Sequence, residues 1–414
     1  MNDIIIIGGG ISGLYTYYQL LQKNPKLKIK LFEKNNYFGG RILTLTKKLN
    51  HQIYQFEAGA GRFNSKHTYF LKLIKKLKLE KDIIQISGKS DFIPTSSFSL
   101  KSNKEFKNKN AYFFIHKVVK AGLKEKQEIL IKYTFKEYAQ KILTSKQIEF
   151  MLSASGYYGE LVYENAYDAI KIFNEGIRDD IHYYVMKNGF SSIIQKLVQT
   201  LVKKKAKLYL KSELTTIQKI KEGFLLNINN IEFKTKKIIL ALPKPALLEL
   251  QYLKPYTQLL NSIDCKDLCR IYSIFKDIWF KNIHKTTTNN KLRFIIPINK
   301  ESGLIMSSYT DSIYAKMWKK YIDKPNELKK ELVKELQEVF QVPIQKPIYN
   351  TICYWNCGVG YWKKNKNSQV LSKKILQLNP EEQLYIVGEN YSTNQGWNEG
   401  GLETVHELLQ LLRI

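Results

Sequence analysis

Three glycines near the start of the chain have the spacing that receives a dinucleotide pyrophosphate. Gly8, Gly10 and Gly13 form a Gly-x-Gly-x-x-Gly turn directly after the apolar run 4–7, and Glu33 follows a second apolar run. In a βαβ unit these glycines make the tight turn, admit the pyrophosphate to the backbone and let the helix pack on the strand. The acid accepts hydrogen bonds from ribose hydroxyls. The pattern predicts a dinucleotide-binding unit and leaves NAD and FAD both open.

Two later segments narrow the choice of dinucleotide. Arg41 closes a Gly-Gly turn shortly after Glu33, where a guanidinium can donate two hydrogen bonds to a pyrophosphate. Near the C-terminus an apolar run ends in Gly388 and Glu389, and a glycine turn with Trp397 precedes the last helical pattern. In type, order and spacing these segments resemble the FAD-binding signatures of the flavin amine oxidase superfamily. The resemblance covers essentially the whole chain.

The resemblance implies FAD as the cofactor. Covalent attachment in this superfamily needs a cysteine immediately before a wall tyrosine, whereas Gly360 precedes Tyr361 here, so we expect non-covalent FAD. The predicted cofactor-binding residues are Gly8, Gly10, Ile11, Ser12, Gly13, Glu33, Lys34, Gly40, Arg41, Gly59, Ala60, Gly61, Arg62, Leu214, Gly388, Glu389, Trp397, Gly401 and Leu402.

Within the superfamily, the stretches 57–67 and 304–309 resemble L-amino-acid oxidases. In that family the arginine at the position of Arg62 and the tyrosine at the position of Tyr309 hold the substrate carboxylate, for which a planar guanidinium is well suited. The alternatives are a phosphate-binding or structural role for Arg62 and a core position for Tyr309. The predicted substrate-binding residues are Arg62, Tyr309, Gly396, Trp397 and Tyr167, and the predicted catalytic residues are Arg270, Trp397 and Tyr361.

Two of these positions depart from the family pattern. Tyr167 stands where the subfamily often has a histidine. Arg270 stands where the family usually has a lysine near flavin N5, which holds a water and takes part in the reaction with oxygen. Arginine keeps the positive charge but does not deprotonate, so the choice between oxidase and dehydrogenase stays open.

The activity implied by the resemblance is FAD-dependent oxidative deamination of an L-amino acid. Hydride passes from Cα to flavin N5, the imine is hydrolysed to a keto acid and ammonia, and O2 is reduced to H2O2. One alternative is a polyamine- or monoamine-type amine oxidase, which predicts acidic groups at the pocket mouth. The other is a basic virion or structural flavoprotein with weak or lost turnover.

Composition sets limits on partners and compartment. The chain has 414 residues with 66 Lys and Arg against 37 Asp and Glu, a net charge of +29, but the lysines are spread throughout. We therefore expect nucleic acid to bind only through non-specific charge. The expected partners are a small-molecule amine or amino acid and O2, with a homodimer left open. No apolar run reaches membrane length and the start does not read as a signal peptide, so we expect no membrane association and a cytoplasmic location, or a virion if the protein is viral.

The four cysteines form two C-x3-C pairs, Cys265 with Cys269 and Cys353 with Cys357. Structural zinc pairs are usually closer in sequence, at C-x2-C. We therefore expect reduced thiols and no metal.

The predicted fold class is α/β, with a discontinuous, FAD-binding, Rossmann-like doubly wound sheet, an α+β substrate domain and a helical subdomain. A single helical pattern covers residues 111–141, and residues 236–242 read as a buried parallel strand stopped by Pro243. The predicted domains are 1–65, 180–260 and 378–414 for FAD binding, 66–179 for the helical subdomain and 261–377 for substrate binding.

Overall fold

The computed structural model describes residues 1–413, which form eighteen strands, fifteen α-helices and four 3₁₀ helices. The strands are β1 (Asn2–Ile7), β2 (Ile29–Phe32), β3 (Thr44–Leu49), β4 (Gln52–Glu57), β5 (Phe63–Asn64), β6 (Ile83–Ser87), β7 (Asp91–Phe92), β8 (His182–Met186), β9 (Lys207–Tyr209), β10 (Leu214–Ile220), β11 (Gly223–Ile228), β12 (Ile231–Leu240), β13 (Ile263–Ile274), β14 (Thr286–Thr287), β15 (Phe294–Asn299), β16 (Leu304–Asp311), β17 (Tyr349–Trp362) and β18 (Leu384–Ile386). The α-helices are α1 (Ile11–Lys23), α2 (Thr68–Lys76), α3 (Ala111–Gly122), α4 (Gln127–Leu130), α5 (Phe135–Ala139), α6 (Ser145–Ala154), α7 (Gly159–Val162), α8 (Ala166–Glu175), α9 (Ser191–Lys203), α10 (Lys244–Glu249), α11 (Thr257–Leu260), α12 (Ser312–Lys319), α13 (Pro325–Phe340), α14 (Ser368–Leu376) and α15 (Asn398–Leu411). The 3₁₀ helices cover Glu80–Asp82, Lys104–Phe106, Gln251–Tyr256 and Glu389–Tyr391.

The first sheet is the predicted doubly wound sheet. Its parallel strands lie in the order β18-β12-β1-β2-β9, and β10 and β11 extend it antiparallel from the first half of β12. The sheet is covered on both faces, because Ile4 and Ile6 pack into the core beneath α1, α9 and α15 while Ile5 and Ile7 pack into the opposite core. Burial on both faces explains why β1 is a continuous apolar run rather than an alternating one.

The second sheet has the order β17-β13-β16-β15-β14-β7, and its long members pair antiparallel. In the register of its central strands, Arg270 of β13 lies opposite Tyr309 of β16 on one side and Cys353 of β17 on the other. Two smaller sheets, β3-β4 and β5-β8-β6, complete the strand structure of the described chain. The central register therefore puts the predicted arginine and the predicted tyrosine side by side.

The helical region differs from the sequence prediction at 111–141, where three helices, α3, α4 and α5, replace one. The start of the last of these helices, α5, has a local cause. Thr134 starts a new helix with a capping box, in which its hydroxyl accepts from the Glu137 N–H at 3.2 Å and the Glu137 carboxylate accepts from the Thr134 N–H at 2.8 Å. The apolar faces of α3, α5, α6 and α8 then share one core that contains Phe114, Phe135 and Phe150.

The prediction of four reduced thiols is wrong for two of the cysteines. Cys265 and Cys357 form a disulfide with their Cα atoms 5.1 Å apart, whereas Cys269 and Cys353 are free and buried. The pairing crosses from β13 to β17, where the register shifts between Lys266 and Leu268. Spacing within each C-x3-C pair carries no information about this contact, since it joins residues from different pairs.

No helix in the described part of the chain is long and apolar enough to cross a membrane.

The glycine turn after β1 is held by a close approach of backbone to backbone. Gly8 has φ +106°, and a Cβ on Gly13 would lie 2.0 Å from the Gly8 carbonyl oxygen. At Gly10, by contrast, an added Cβ would meet only the Gly39 carbonyl oxygen, at 4.0 Å. Of Gly10 and Gly13, it is thus Gly13 whose missing side chain lets helix α1 pack on the turn.

We predict that Gly13→Ala lowers the free energy of unfolding by about 1–3 kcal/mol, because the added methyl group forces α1 away from the turn. Urea denaturation of the cofactor-free protein measures this. Gly10→Ala is the matched control and is expected to unfold at nearly the wild-type midpoint. Equal destabilisation by the two variants would contradict this account of the turn.

Candidate active site

A cavity of about 880 Å³ begins at the carboxyl ends of β1, β2 and β12 and continues to the second sheet and the helical region. At the end next to the sheet, the cavity is lined mainly by backbone, including that of Gly8, Gly10 and Gly388. At the other end it is lined by ionisable and aromatic side chains such as Arg62 and Tyr361. A crevice at the carboxyl edge of a doubly wound sheet is the usual place for a dinucleotide.

The glycine end of the cavity has room for phosphate against bare backbone. An added Cβ would meet nothing within 4 Å at Gly388, and at Gly10 it would meet one atom only at that distance. Helix α1 begins immediately after Gly10, so its unpaired N–H groups and positive dipole end face this space. The structure therefore offers an anion cradle where the glycine spacing predicted one.

Glu33 is fixed at the edge of this cradle. Its carboxylate accepts from the Gly9 N–H at 2.7 Å and from the backbone and side-chain N–H groups of Asn35 at 2.8 and 2.7 Å. An ionised carboxylate has about four acceptor sites, so these three bonds orient it and leave capacity for a ribose hydroxyl.

Arg41 joins the first and last segments of the nucleotide-binding region. Its guanidinium forms an ion pair with Glu389 at 2.8 Å and donates to the Gly358 carbonyl oxygen at 2.6 Å. Glu389 in turn accepts from the Gly396 N–H at 2.6 Å. The contact of Arg41 with Glu389 was not predicted from the sequence, which assigned each residue separately to the cofactor.

Arg62 lies in an aromatic box on the far side of the cavity. Its guanidinium donates to the Tyr157 hydroxyl and lies 4.3 Å from the ring centre of Tyr183 and 5.7 Å from that of Trp397. Burial, with a smaller effect of the Arg62 charge, lowers the pKa of His67 to about 3, so this neighbour of Trp397 is neutral. No ion pair with a carboxylate is found for Arg62 among the described residues.

Arg270 is buried beside the same group of tyrosines. Its guanidinium lies 4.5 Å from the ring centre of Tyr309 and donates to the Glu57 carbonyl oxygen at 3.2 Å, and its Nε has no hydrogen-bond partner in the described structure. Glu57 itself is engaged elsewhere, accepting from the Phe190 N–H and the Thr44 hydroxyl. Arg62 and Arg270 thus present two guanidinium groups to one cavity with no paired carboxylate.

Two acids, Glu160 and Asp311, line the same cavity, and sequence reasoning missed both. Asp311 accepts from the N–H groups of Tyr158 and Gly159, at distances between 3.1 and 3.2 Å. Burial and the neighbouring charge of Asp311 raise the pKa of Glu160 to about 8, and burial raises that of Asp311 to about 6. The sequence does carry one indication of Asp311. It follows Tyr309 by two residues, so in a strand the two side chains lie on the same face.

Most of the predicted site residues lie around this one cavity. Gly13, Leu402 and Tyr167 are not among the described residues that line it. Gly13 packs against Gly8, Leu402 is fully buried in the core, and the Tyr167 hydroxyl accepts from the Gln369 side-chain amide at 2.7 Å. The lining residues are Gly8, Gly10, Ile11, Ser12, Glu33, Lys34, Gly40, Arg41, Gly59, Ala60, Gly61, Arg62, Leu214, Arg270, Tyr309, Tyr361, Gly388, Glu389, Gly396, Trp397 and Gly401.

The class of protein is decided by the match of this chain to the model of a protein family. The model of flavin-containing amine oxidoreductases matches residues 11–404. The chain belongs to that family. This confirms the superfamily predicted from the glycine and arginine motifs, and it implies a flavin cofactor, FAD, and a small-molecule amine as substrate.

Individual relatives of this flavin amine oxidoreductase are distant. An uncharacterised protein of Acanthamoeba polyphaga mimivirus is 25% identical over 98% of this chain and 93% of its own length. Achacin of Lissachatina fulica is 25% identical over 67% of this chain and 61% of its own length. A solved structure of putrescine oxidase, redesigned in its cofactor binding, superposes with a TM-score of 0.78 at 13% identity, covering 100% of this chain and 99% of that one. This last likeness confirms the predicted fold.

The cavity fits a bound FAD. The glycine cradle at Gly10 and Gly388 has the open space that a pyrophosphate needs, and the α1 N-terminus supplies donors. Glu33, at the edge of the cradle, would accept from a ribose hydroxyl. When bound, FAD supplies the acceptor for two electrons and a proton. The remaining chemistry depends on how the arginine, tyrosine and acidic side chains hold the substrate.

We predict that Glu389→Gln weakens FAD binding by about tenfold. The substitution removes the negative charge that pairs with Arg41 and one of the two acceptor oxygens, so Arg41 and the Gly396 N–H no longer both have an acceptor at this side chain. A charge-assisted hydrogen bond contributes about 1.5–3 kcal/mol. The measurement is flavin absorbance per mole of protein across a dilution series. Glu381→Gln, at an exposed position in the same terminal segment, is the control. Wild-type flavin retention in Glu389→Gln would contradict a role for this pair.

Proposed function

We propose that the protein catalyses FAD-dependent oxidative deamination of an L-amino acid to a keto acid and ammonia, with O2 as the terminal oxidant. The observation that carries the proposal is the pair of guanidinium groups, Arg62 and Arg270, that face the cavity without a paired carboxylate. Burying a charge is costly unless it is paired, so this wall favours an anionic group on the ligand.

In the proposed complex Arg62 clamps the substrate carboxylate, and Tyr309 adds a phenol donor beside Arg270. Tyr157 supports the clamp, since its hydroxyl already accepts from the Arg62 guanidinium. A carboxylate held by a planar fork is fixed in orientation as well as position. Orientation of Cα toward the cofactor then provides much of the rate acceleration.

Trp397 and Tyr361 form the apolar part of the proposed site. Both line the cavity, and Tyr361 is 1% exposed. Aromatic walls exclude water and favour the neutral amine, the form that can lose hydride from Cα. Gly360 precedes Tyr361, so FAD is proposed to be held non-covalently. Tyr167 has no part in this site, because it does not reach the cavity.

A second candidate is oxidation of an amine that has no carboxylate. The buried acids Glu160 and Asp311 favour it, because they can bind a substrate cation. Such a substrate has no negative charge to pair with Arg62 and Arg270, whereas the carboxylate of an amino acid supplies one. Substitution of Arg62 separates the two candidates.

We predict that Arg62→Leu lowers kcat/KM for L-amino acids by about tenfold to a hundredfold or more, because one charge-assisted contact with the carboxylate is lost. Steady-state peroxide production across an L-amino-acid panel measures it. Arg62→Lys is expected to recover part of the loss, since it keeps the charge without the fork.

Arg178→Leu is the matched control, since Arg178 forms its ion pair with the exposed Asp180. It is expected to leave kcat/KM unchanged. If Arg62→Leu oxidises L-amino acids as well as the wild type does, the carboxylate clamp is refuted and the amine candidate is favoured.

A further inference from the structure

Glu160 and Asp311 form an acidic wall of the cavity. It lies next to the basic wall formed by Arg62 and Arg270. Glu160 and Asp311 are 5% and 2% exposed, and burial together with the charges of these two groups raises the pKa of the Tyr361 hydroxyl. Glu160 also interacts electrostatically with Arg62, so the acidic wall and the clamp belong to the same space. The N–H groups of Tyr158 and Gly159 and the charge of the buried Arg293 stabilise Asp311, so Glu160 is the carboxyl group whose burial remains unexplained.

Polar atoms in this wall lack partners. The Tyr361 hydroxyl and Oε2 of Glu160 are buried and accept or donate no hydrogen bond within the described structure. Gly159 brings its backbone against the tyrosine, since an added Cβ there would lie 2.4 Å from the Tyr361 hydroxyl oxygen. Buried polar groups are almost always satisfied, so these atoms indicate a ligand that carries donors.

The distance between the two walls is set by the backbone. Tyr309 and Asp311 are two residues apart on β16 and therefore point to the same face, about 7 Å apart along the strand. Tyr157, which accepts from Arg62, and Glu160 are three residues apart and both line the cavity, so one short segment supplies a residue to each wall. A ligand that reaches both walls needs an anion and a donor-bearing cation separated by a short aliphatic stem.

We propose that the substrate is an L-amino acid with a second amino group on its side chain, such as lysine or ornithine, whose side-chain ammonium is bound by Glu160 and Asp311. The proposal rests on the proposed function, because Arg62 must hold the carboxylate at the other end. An ammonium group supplies three donors, which suit the free atoms of Glu160 and Tyr361. Its charge also favours the ionised form of Glu160, which burial and the charge of Asp311 disfavour in the empty cavity.

The test compares L-lysine with L-norleucine, which has the same chain length without the terminal nitrogen. We expect the wild-type holoenzyme to prefer lysine in kcat/KM by about tenfold to a hundredfold, the effect of one charge-assisted hydrogen bond. In Glu160→Gln we expect this ratio to fall toward one. The flavin spectrum of the variant serves as the check that it is folded and loaded.

Glu335→Gln is the matched control. Glu335 is a buried carboxyl group on α13 that forms an ion pair with Lys291, and it is not among the described residues that line the cavity. It is expected to keep the wild-type ratio. Equal use of lysine and norleucine by the wild type, or the same ratio in Glu160→Gln as in the wild type, would overturn the proposal while leaving amino-acid oxidation intact. If neither amino acid is oxidised, the proposed function itself fails.

Discussion

The placement of the half-buried Arg62 and the buried Arg270 beside shared tyrosines is the constraint on which the site depends. Guanidinium groups stay protonated at any ordinary pH, so the protein must stabilise two positive charges in a partly enclosed cavity. It does so with aromatic faces and a backbone carbonyl rather than with carboxylates. Contacts with aromatic rings and a carbonyl stabilise a cation less than an ion pair does. Both guanidinium groups are therefore available to bind the anionic group of a ligand.

The position of these charges depends on the two sheets together. Arg270 is placed by the antiparallel register of β13 with β16. Arg62 lies in the loop after β4, where the Ala60 N–H donates to the Arg41 carbonyl oxygen. The Glu57 carbonyl oxygen accepts from both Arg270 and Tyr272, so one peptide group connects that loop to the second sheet. The Arg41–Glu389 pair performs a similar connection at the cofactor end.

The nucleotide-binding end could be predicted from the sequence because its determinants are local. The turn at Gly8, Gly10 and Gly13 and the acid Glu33 lie within one βαβ unit, and each residue type has a backbone reason to be there. The acidic wall could not be predicted, because Glu160 and Asp311 meet only through tertiary packing. The disulfide was missed for the same reason, since strand register decides which cysteines are neighbours. The single helix predicted over 111–141 is wrong in part because the capping box at Thr134 starts a separate helix, α5.

The central claim is that one cavity holds FAD and orients a substrate by its carboxylate. Anaerobic mixing of the holoenzyme with an L-amino acid, and in parallel with the amine left when its carboxylate is removed, tests it most directly. The pairs L-norleucine with pentylamine and L-lysine with cadaverine differ only in that group. Our account predicts that the absorbance of oxidised flavin is lost much faster with each amino acid than with its amine and returns when air is admitted. Faster loss with the amines would contradict it.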